Sequence, residues 1–324
     1  MKTAIRSLIP AVICCLVCGA ASPQSKPPAE TRNAALRYWM AFAELEDPPA
    51  DKQTQDLLER TASGEVPFDE ARLGPILDKN EDAIQMMQRA TKLPECDWGL
   101  EYRLGPRASI AYVPRARVLA RLNTLYGMSL AAKGDSQGAL NTWLAGLRFA
   151  QHLSDGGSLI FLLVAKATLL SNLRAIAKAA QSGQLSNEQR ITASSAVRAL
   201  PETAFDWAGA LRLEESALEI GADQLRNASN PAEYYQQLTG KPAPSGFALP
   251  ATENVAFHAA MASAVQAMKL PPTEAAPRLQ HLQESTQSLN PYFRETIPSF
   301  VRINEARAQI SAARQDALSA LAAR

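Results

Sequence analysis

The stretch Gly127-Met128-Ser129-Leu130-Ala131-Ala132-Lys133-Gly134-Asp135-Ser136-Gln137-Gly138-Ala139-Leu140-Asn141-Thr142-Trp143-Leu144-Ala145-Gly146-Leu147 decides the fold. Gly134-Asp135 breaks it near the middle, and apolar residues recur at helical spacing on both sides. Upstream, Val118, Leu122, Leu125 and Leu130 share a face of a helix over 112–133, where Pro114 is tolerated because it falls in the first turn. Downstream, Leu140, Trp143, Leu144 and Leu147 make the apolar stripe of a second helix over 136–153. The short break folds the pair into an antiparallel hairpin.

The same period extends outward in both directions. Toward the N-terminus, Leu36, Trp39, Met40 and Ala43 form one stripe of a helix that Asp47-Pro48-Pro49 stops. Helices follow over about 54–62 and 76–91, the second with Ile76, Leu77, Ile84 and Met87 on one side, and the Pro- and Gly-marked segment 93–106 reads as a loop. Toward the C-terminus, Gly156-Gly157 precedes a helix over 158–180 whose Leu159-Ile160-Phe161-Leu162-Leu163-Val164 run is apolar on every side. That marks it as the most buried helix, and Lys166, Arg174 and Lys178 interrupt it too early for a membrane span. Ser186 and Gln189 have capping-box spacing for a helix that ends at Leu200-Pro201, and a long helix follows over about 202–226. Residues 227–250, with Pro231, Gly240, Pro242, Pro244, Gly246 and Pro250, read as a surface loop. Three more helices are expected over about 252–269, 273–289 and 298–323. Composition agrees: 58 Ala and 39 Leu stand against 10 Val and 13 Ile, and no strand pair has hairpin turn chemistry. The expectation is an all-α fold, with a stack of antiparallel helical hairpins over 31–226 and an additional helical segment over 251–324.

The N-terminus bears on destination. Lys2 and Arg6 precede an apolar stretch from Leu8 to Ala21, too short to span a bilayer as a helix, and small Gly19 and Ala21 suit cleavage before Ser22. Residues 1–21 therefore read as a secretory signal peptide and 22–30 as a disordered mature N-terminus, so a periplasmic or extracellular location is expected. Cys14, Cys15 and Cys18 fall in the leader; Val17 stands where a lipidation site needs a small residue. After cleavage only Cys96 remains, which leaves no intramolecular disulfide and suits a buried small hydrophobe.

Two resemblances follow from these residues. Gly127, Leu130, Gly134-Asp135, Ala139, Trp143, Gly146 and Leu147 resemble one tetratricopeptide repeat over about 120–153. That resemblance implies a TPR-like hairpin with Gly127 and Ala139 at the helix contact, Gly134 at the turn and Trp143 packing across the pair. Cys96-Asp97-Trp98-Gly99-Leu100, together with this hairpin and Leu147-Arg148-Phe149-Ala150-Gln151-His152-Leu153, looks like an uncharacterised family of exported all-helical bacterial proteins sharing a CDWGL element. The second similarity spans about 31–225 and implies export and an all-α fold, with no catalytic residues. Trp98 is expected to plug the helical array.

Candidate chemistry is sparse. The near-balance of 33 basic and 32 acidic residues argues against a globally basic nucleic-acid binder. His152, His258 and His281 form no zinc motif, and neither a phosphate-binding Gly-rich loop nor a G-x-S-x-G elbow occurs. No metal or cofactor is expected. Glu214-Glu215-Ser216 is similar to the helix-borne Glu-Ser of peptidoglycan lytic transglycosylases, which implies Glu215 as a general acid. The family's downstream Gly-Leu-Met-Gln element is missing, Gly221-Ala222-Asp223-Gln224-Leu225 being a partial echo. Arg115, Arg117 and Arg121 lie in a window poor in acids, so they either meet an anionic partner or pair with acids of neighbouring helices. The expectation is a non-enzymatic module of the bacterial cell envelope that binds a protein or peptide partner. The alternative is a cell-wall enzyme centred on Glu215.

Overall fold

The computed structural model describes residues 31–323; the expected signal peptide over 1–21 and the segment 22–30 lie outside the described residues. Fourteen α-helices carry the described chain: α1 (Ala34–Glu44), α2 (Lys52–Ala62), α3 (Glu70–Lys79), α4 (Glu81–Ala90), α5 (Val113–Ala132), α6 (Ser136–Ser154), α7 (Leu159–Gln181), α8 (Asn187–Ala199), α9 (Trp207–Arg226), α10 (Pro231–Thr239), α11 (Glu253–Ala267), α12 (Pro272–Ser285), α13 (Pro291–Thr296) and α14 (Phe300–Ala322). Short 3-10 turns occupy Tyr102–Arg107 and Thr286–Ser288. Among the described residues there is no strand, only an isolated bridge between Asn33 and Glu95, and the class is all-α.

The α5–α6 hairpin has local causes. Gly134 takes a left-handed φ of +85°, which any side chain would strain, and Asp135 then caps α6 by accepting from the Gly138 N–H at 2.8 Å. Gly127 lets the helices approach, and Trp143 fills the gap, with its indole N–H donating to the Thr124 carbonyl at 3.3 Å. Buried Asn123 ties the layer to α4, donating to the Thr142 carbonyl and accepting from Gln88, each at 3.0 Å. On the far side of α6, Gly146 opens onto Asn172 of α7. Helix α7 lies against α5, α6, α9 and α14. It is the one described helix long and apolar enough to cross a membrane, and most of it is buried in the bundle.

The hairpin series does not extend regularly past α7. Helix α8 begins with the expected capping box, in which Ser186 accepts from the Gln189 N–H at 3.3 Å and Gln189 accepts from the Ser186 N–H at 2.8 Å. It then packs on α14 and α6. Arg190 of α8 donates to the Ala320 and Ala323 carbonyls at 3.0 and 2.8 Å and also to Ala180 O, so one guanidinium covers the C-terminal ends of α14 and α7. Arg314 of α14 reciprocates on the Val197 and Arg198 carbonyls of α8.

Several expectations need correction. The buried face of α1 is Ala34, Ala35, Tyr38, Ala41 and Phe42; Leu36, Trp39 and Met40 are 53, 41 and 56% exposed. Both faces of this helix are apolar, and the aromatic slot beside Tyr38 and Phe42 selects the inner one. The helix expected over 76–91 is two helices, because buried Asn80 interrupts it by donating to the Ile76 carbonyl while accepting from the Glu46 N–H. The loop over 227–250 contains α10, which Asn230 caps at one end and left-handed Gly240 (φ +71°) at the other. Helix α13 is unanticipated. The additional C-terminal helices pack into the same body: α14 lies on α7, α8 and α12, and from Arg32 onward the described chain is one compact unit.

Candidate functional site

A concavity of about 790 Å³ opens between α7, α9, α14 and the segment 100–110. Its construction begins at the Gly156-Gly157 break. Gly157 is left-handed (φ +71°), the Tyr102 hydroxyl donates to the Gly156 carbonyl, and α7 starts at Ser158 with its first turn facing the opening. The opposing strip is held by Gly105, also left-handed (φ +56°), where a Cβ would fall 2.6 Å from Ile220 of α9. The walls are mainly apolar, with Ile110, Ile160 and Leu163 at the mouth 39, 41 and 48% exposed.

Few polar groups reach this cleft. Glu214 lines it from α9, and burial holds its carboxyl above the ordinary range. Lys166 of α7 lines it opposite; burial lowers its pKa, and Arg174 adds to that while Glu305 opposes it. Arg302 and Glu305 come from α14. The Ser158 hydroxyl is buried with no hydrogen-bond partner, although it stands at the N-cap of α7.

Leu163 and Lys166 also line a second, shallower groove of about 280 Å³ between α5, α7 and the end of α2. It contains two of the three arginines singled out in the sequence. Arg121 meets Glu59 at 2.9 Å and Gln55 at 3.3 Å, and Arg117 meets the same Glu59 at 3.4 Å. Arg115 does not join them. It donates to the Leu45 carbonyl at 2.8 Å and faces Asp47 at 3.4 Å, so it holds the segment after α1. The three are therefore engaged with neighbouring elements, Arg117 and Arg121 in the groove and Arg115 apart from it.

Glu215 lies outside the cleft. Its Oε1 is 2.7 Å from Nδ1 of His258 on α11, whose Nε2 is 3.4 Å from Glu219. One residue advances a helix by about 100°, and that rotation gives the cleft to Glu214 and the α9–α11 contact to Glu215. Glu215, the alternative general acid of the sequence, thus stands at the α9–α11 contact beside His258.

The Cys96-Asp97-Trp98-Gly99-Leu100 element is a docked loop. The Asn33 side chain accepts from the Asp97 N–H and donates to the Asp97 carbonyl, both at 2.9 Å, and the Trp98 indole N–H donates to the His152 carbonyl at 2.8 Å. Trp98 stacks on Tyr112 at 4.5 Å between ring centroids, with Tyr38 and Phe42 next to it. Burial first, then Asp155 and Asp97, push the Cys96 thiol up to about 12. His152 pairs with the Tyr38 hydroxyl at 2.7 Å, and burial first, then Arg148, lower its pKa. Asp155, at the end of α6, is raised by burial to about 6. Among the described residues no three His, Cys, Asp or Glu side chains converge as a metal site.

Sequence reasoning missed Glu214 and Lys166 as site residues. The available signal for Lys166 was a cation inside the most apolar helix, and for Glu214 a second carboxylate beside the one chosen. Compared with protein-family models, with curated protein sequences and with solved structures, the chain matches none.

Proposed function

We propose that the protein is an exported, non-enzymatic binding module of the bacterial cell envelope that holds an apolar segment of a protein or peptide partner in the cleft between α7, α9, α14 and the segment 100–110. The observation that carries this reading is the cleft itself: about 790 Å³, apolar-walled and open at the surface, with Ile110, Ile160 and Leu163 uncovered at its mouth. Ligand sites typically measure about 300–1,000 Å³ and combine apolar walls with a few polar groups. Trp39, exposed on α1, packs edge-on against Tyr112, two residues from Ile110, and adds apolar surface on that side. The leader over 1–21 supports export, and the TPR-like α5–α6 hairpin supports a scaffold built to present a surface. The Glu215 enzyme reading loses support because its carboxylate is occupied by His258 on another face.

The test is selection of 15-residue peptides from a random library on the purified mature chain, followed by anisotropy with the enriched peptides. Binding should fall at least about tenfold in Leu163→Glu, which places a charge in an apolar wall, and persist in Val255→Glu, a control on exposed α11. No enrichment, or equal loss in both variants, overturns the reading. Fractionation of the native host should find the full-length gene product in the envelope or medium; a cytoplasmic pool alone overturns export.

A further inference from the structure

The cleft and the shallow groove are not two separate features. Leu163 and Lys166 line both, so a chain lying in the cleft leaves it over the shoulder of α7 and passes directly into the groove.

Charge differs sharply along that route. In the cleft, Lys166 and Arg302 are matched by Glu214 and Glu305. In the groove, Arg117, Arg121, Lys166 and Arg174 face one acid, Glu59, and that carboxylate is already divided between Arg117 and Arg121. Among the described residues, Lys166 and Arg174 of α7 have no ion-pair partner within 4 Å. Ala120, Ala167 and Ser171 floor the space between the cations, so small side chains leave room there. Burial and the field of Arg174 disfavour the Lys166 charge and Glu305 favours it; an arriving anion adds to the favourable field.

We infer that the partner is a peptide with an apolar core flanked on one side by carboxylates: the core fills the cleft, and the acidic flank crosses α7 at Leu163 to lie on Lys166, Arg174 and Arg117. This deepens the binding-module reading and rests on it. A peptide suits the geometry better than an acyl chain because the cleft shares Leu163 and Lys166 with a second groove rich in cations. Guanidinium forks on Arg117 and Arg174 match carboxylate geometry.

The experiment uses the full mature chain and three fluorescent peptides that share the apolar core selected above and differ only in flank: three Glu, three Gln or three Lys. The Glu-flanked peptide should bind about tenfold tighter than the Gln-flanked one at about 50 mM salt, a preference of the size expected for two or three partly desolvated pairs. Raising salt to about 500 mM should erase it. In Arg174→Glu, and separately in Arg174→Gln, the preference should shrink severalfold while affinity for the Gln-flanked peptide and the melting temperature stay unchanged.

The inference is overturned if Glu- and Gln-flanked peptides bind equally, or if the preference survives both variants; the cleft reading stands in that case, since the Gln-flanked peptide still binds. Failure of all three peptides removes both readings. Displacement of the selected peptide by micromolar single-chain phosphomonoester lipid, together with an absent flank preference, would overturn the inference in favour of an anionic amphiphile.

Discussion

The indole of Trp143 lies against the bare Cα of Gly127, where a Cβ would fall 2.7 Å from Trp143 Cδ1 and 2.9 Å from Cε2. The contact fixes the spacing of α5 and α6, and the two residues act as one unit. Trp143→Ala should destabilise the protein by about 3–5 kcal/mol through the cavity it leaves. Gly127→Ala should also destabilise, by about 1–3 kcal/mol of overpacking, and less so in the Trp143→Ala background, where the added methyl meets empty space. Urea unfolding of the four-member cycle checks this; strictly additive effects, or a Trp143→Ala change below about 1 kcal/mol, refute the close approach.

Arg190 binds the carbonyl ends of two helices distant in sequence. Removing it in Arg190→Ala leaves the last carbonyls of α14 uncapped and should cost about 2 kcal/mol, since hydrogen bonds from a charged donor contribute about 1.5–3 kcal/mol. Hydrogen exchange should accelerate over 316–323 before it changes in α5 or α6. Uniform acceleration would show that α14 and the core open together.

Glu214 and Glu215, adjacent on α9, should respond oppositely to neutralisation. Burial raises the Glu214 pKa, so the native state binds its proton more tightly and loses stability as pH rises above the ordinary carboxylate range. Glu214→Gln should therefore raise the melting temperature at pH 7–8 and lose that advantage near pH 4. Glu215→Gln should lower it slightly, by removing the contact to His258, and leave peptide binding and peptidoglycan unaffected. Thermal melts of both variants across that range distinguish the two; cell-wall cleavage that Glu215→Gln abolishes would restore the enzyme reading.

Asp155 has the same sign with a defined window. Its pKa rises from 3.8 to about 6 on burial, so its contribution to native stability is fully present below about pH 4 and is lost as pH rises to about 6. Asp155→Asn should be more stable than the parent at pH 7, and the two should converge by about pH 4. A gap independent of pH would assign the effect to packing. His152, whose pKa burial lowers, acts in the other direction below about pH 6.5, so the comparison is made between variant and parent at each pH.

What the sequence made legible was what neighbouring residues decide. The Gly134-Asp135 turn, the small-residue contact at Gly127 and the Ser186/Gln189 capping box are local, and each reads directly from residue types at fixed offsets. The inner face of α1 was not legible, because Leu36/Trp39/Met40 and Tyr38/Phe42 give equally good stripes and only the distant Trp98 loop chooses between them. Helix α10 carried an Asn-Pro start and a Gly stop, masked by the prolines around it. The cleft depends on α14 reaching α7 across more than a hundred residues, a pairing that no periodicity encodes. Choosing Glu215 over Glu214 was a choice of azimuth on α9, which amphipathic pattern leaves open when both neighbours are charged.

The dependence of α7 on α14 also sets an order of events for the newborn chain. Leu159–Gln181 is the most membrane-like stretch of the described chain, and part of its cover is Phe300–Ala322, made more than a hundred residues later. Until Phe300–Ala322 arrives, the synthesised chain presents a partly wrapped greasy rod of bilayer-spanning length, a state prone to clumping or to straying into lipid. A chain cut short before Phe300 is therefore more hazardous to its host than the loss of one helix suggests, and α14 serves as the clasp that closes over α7.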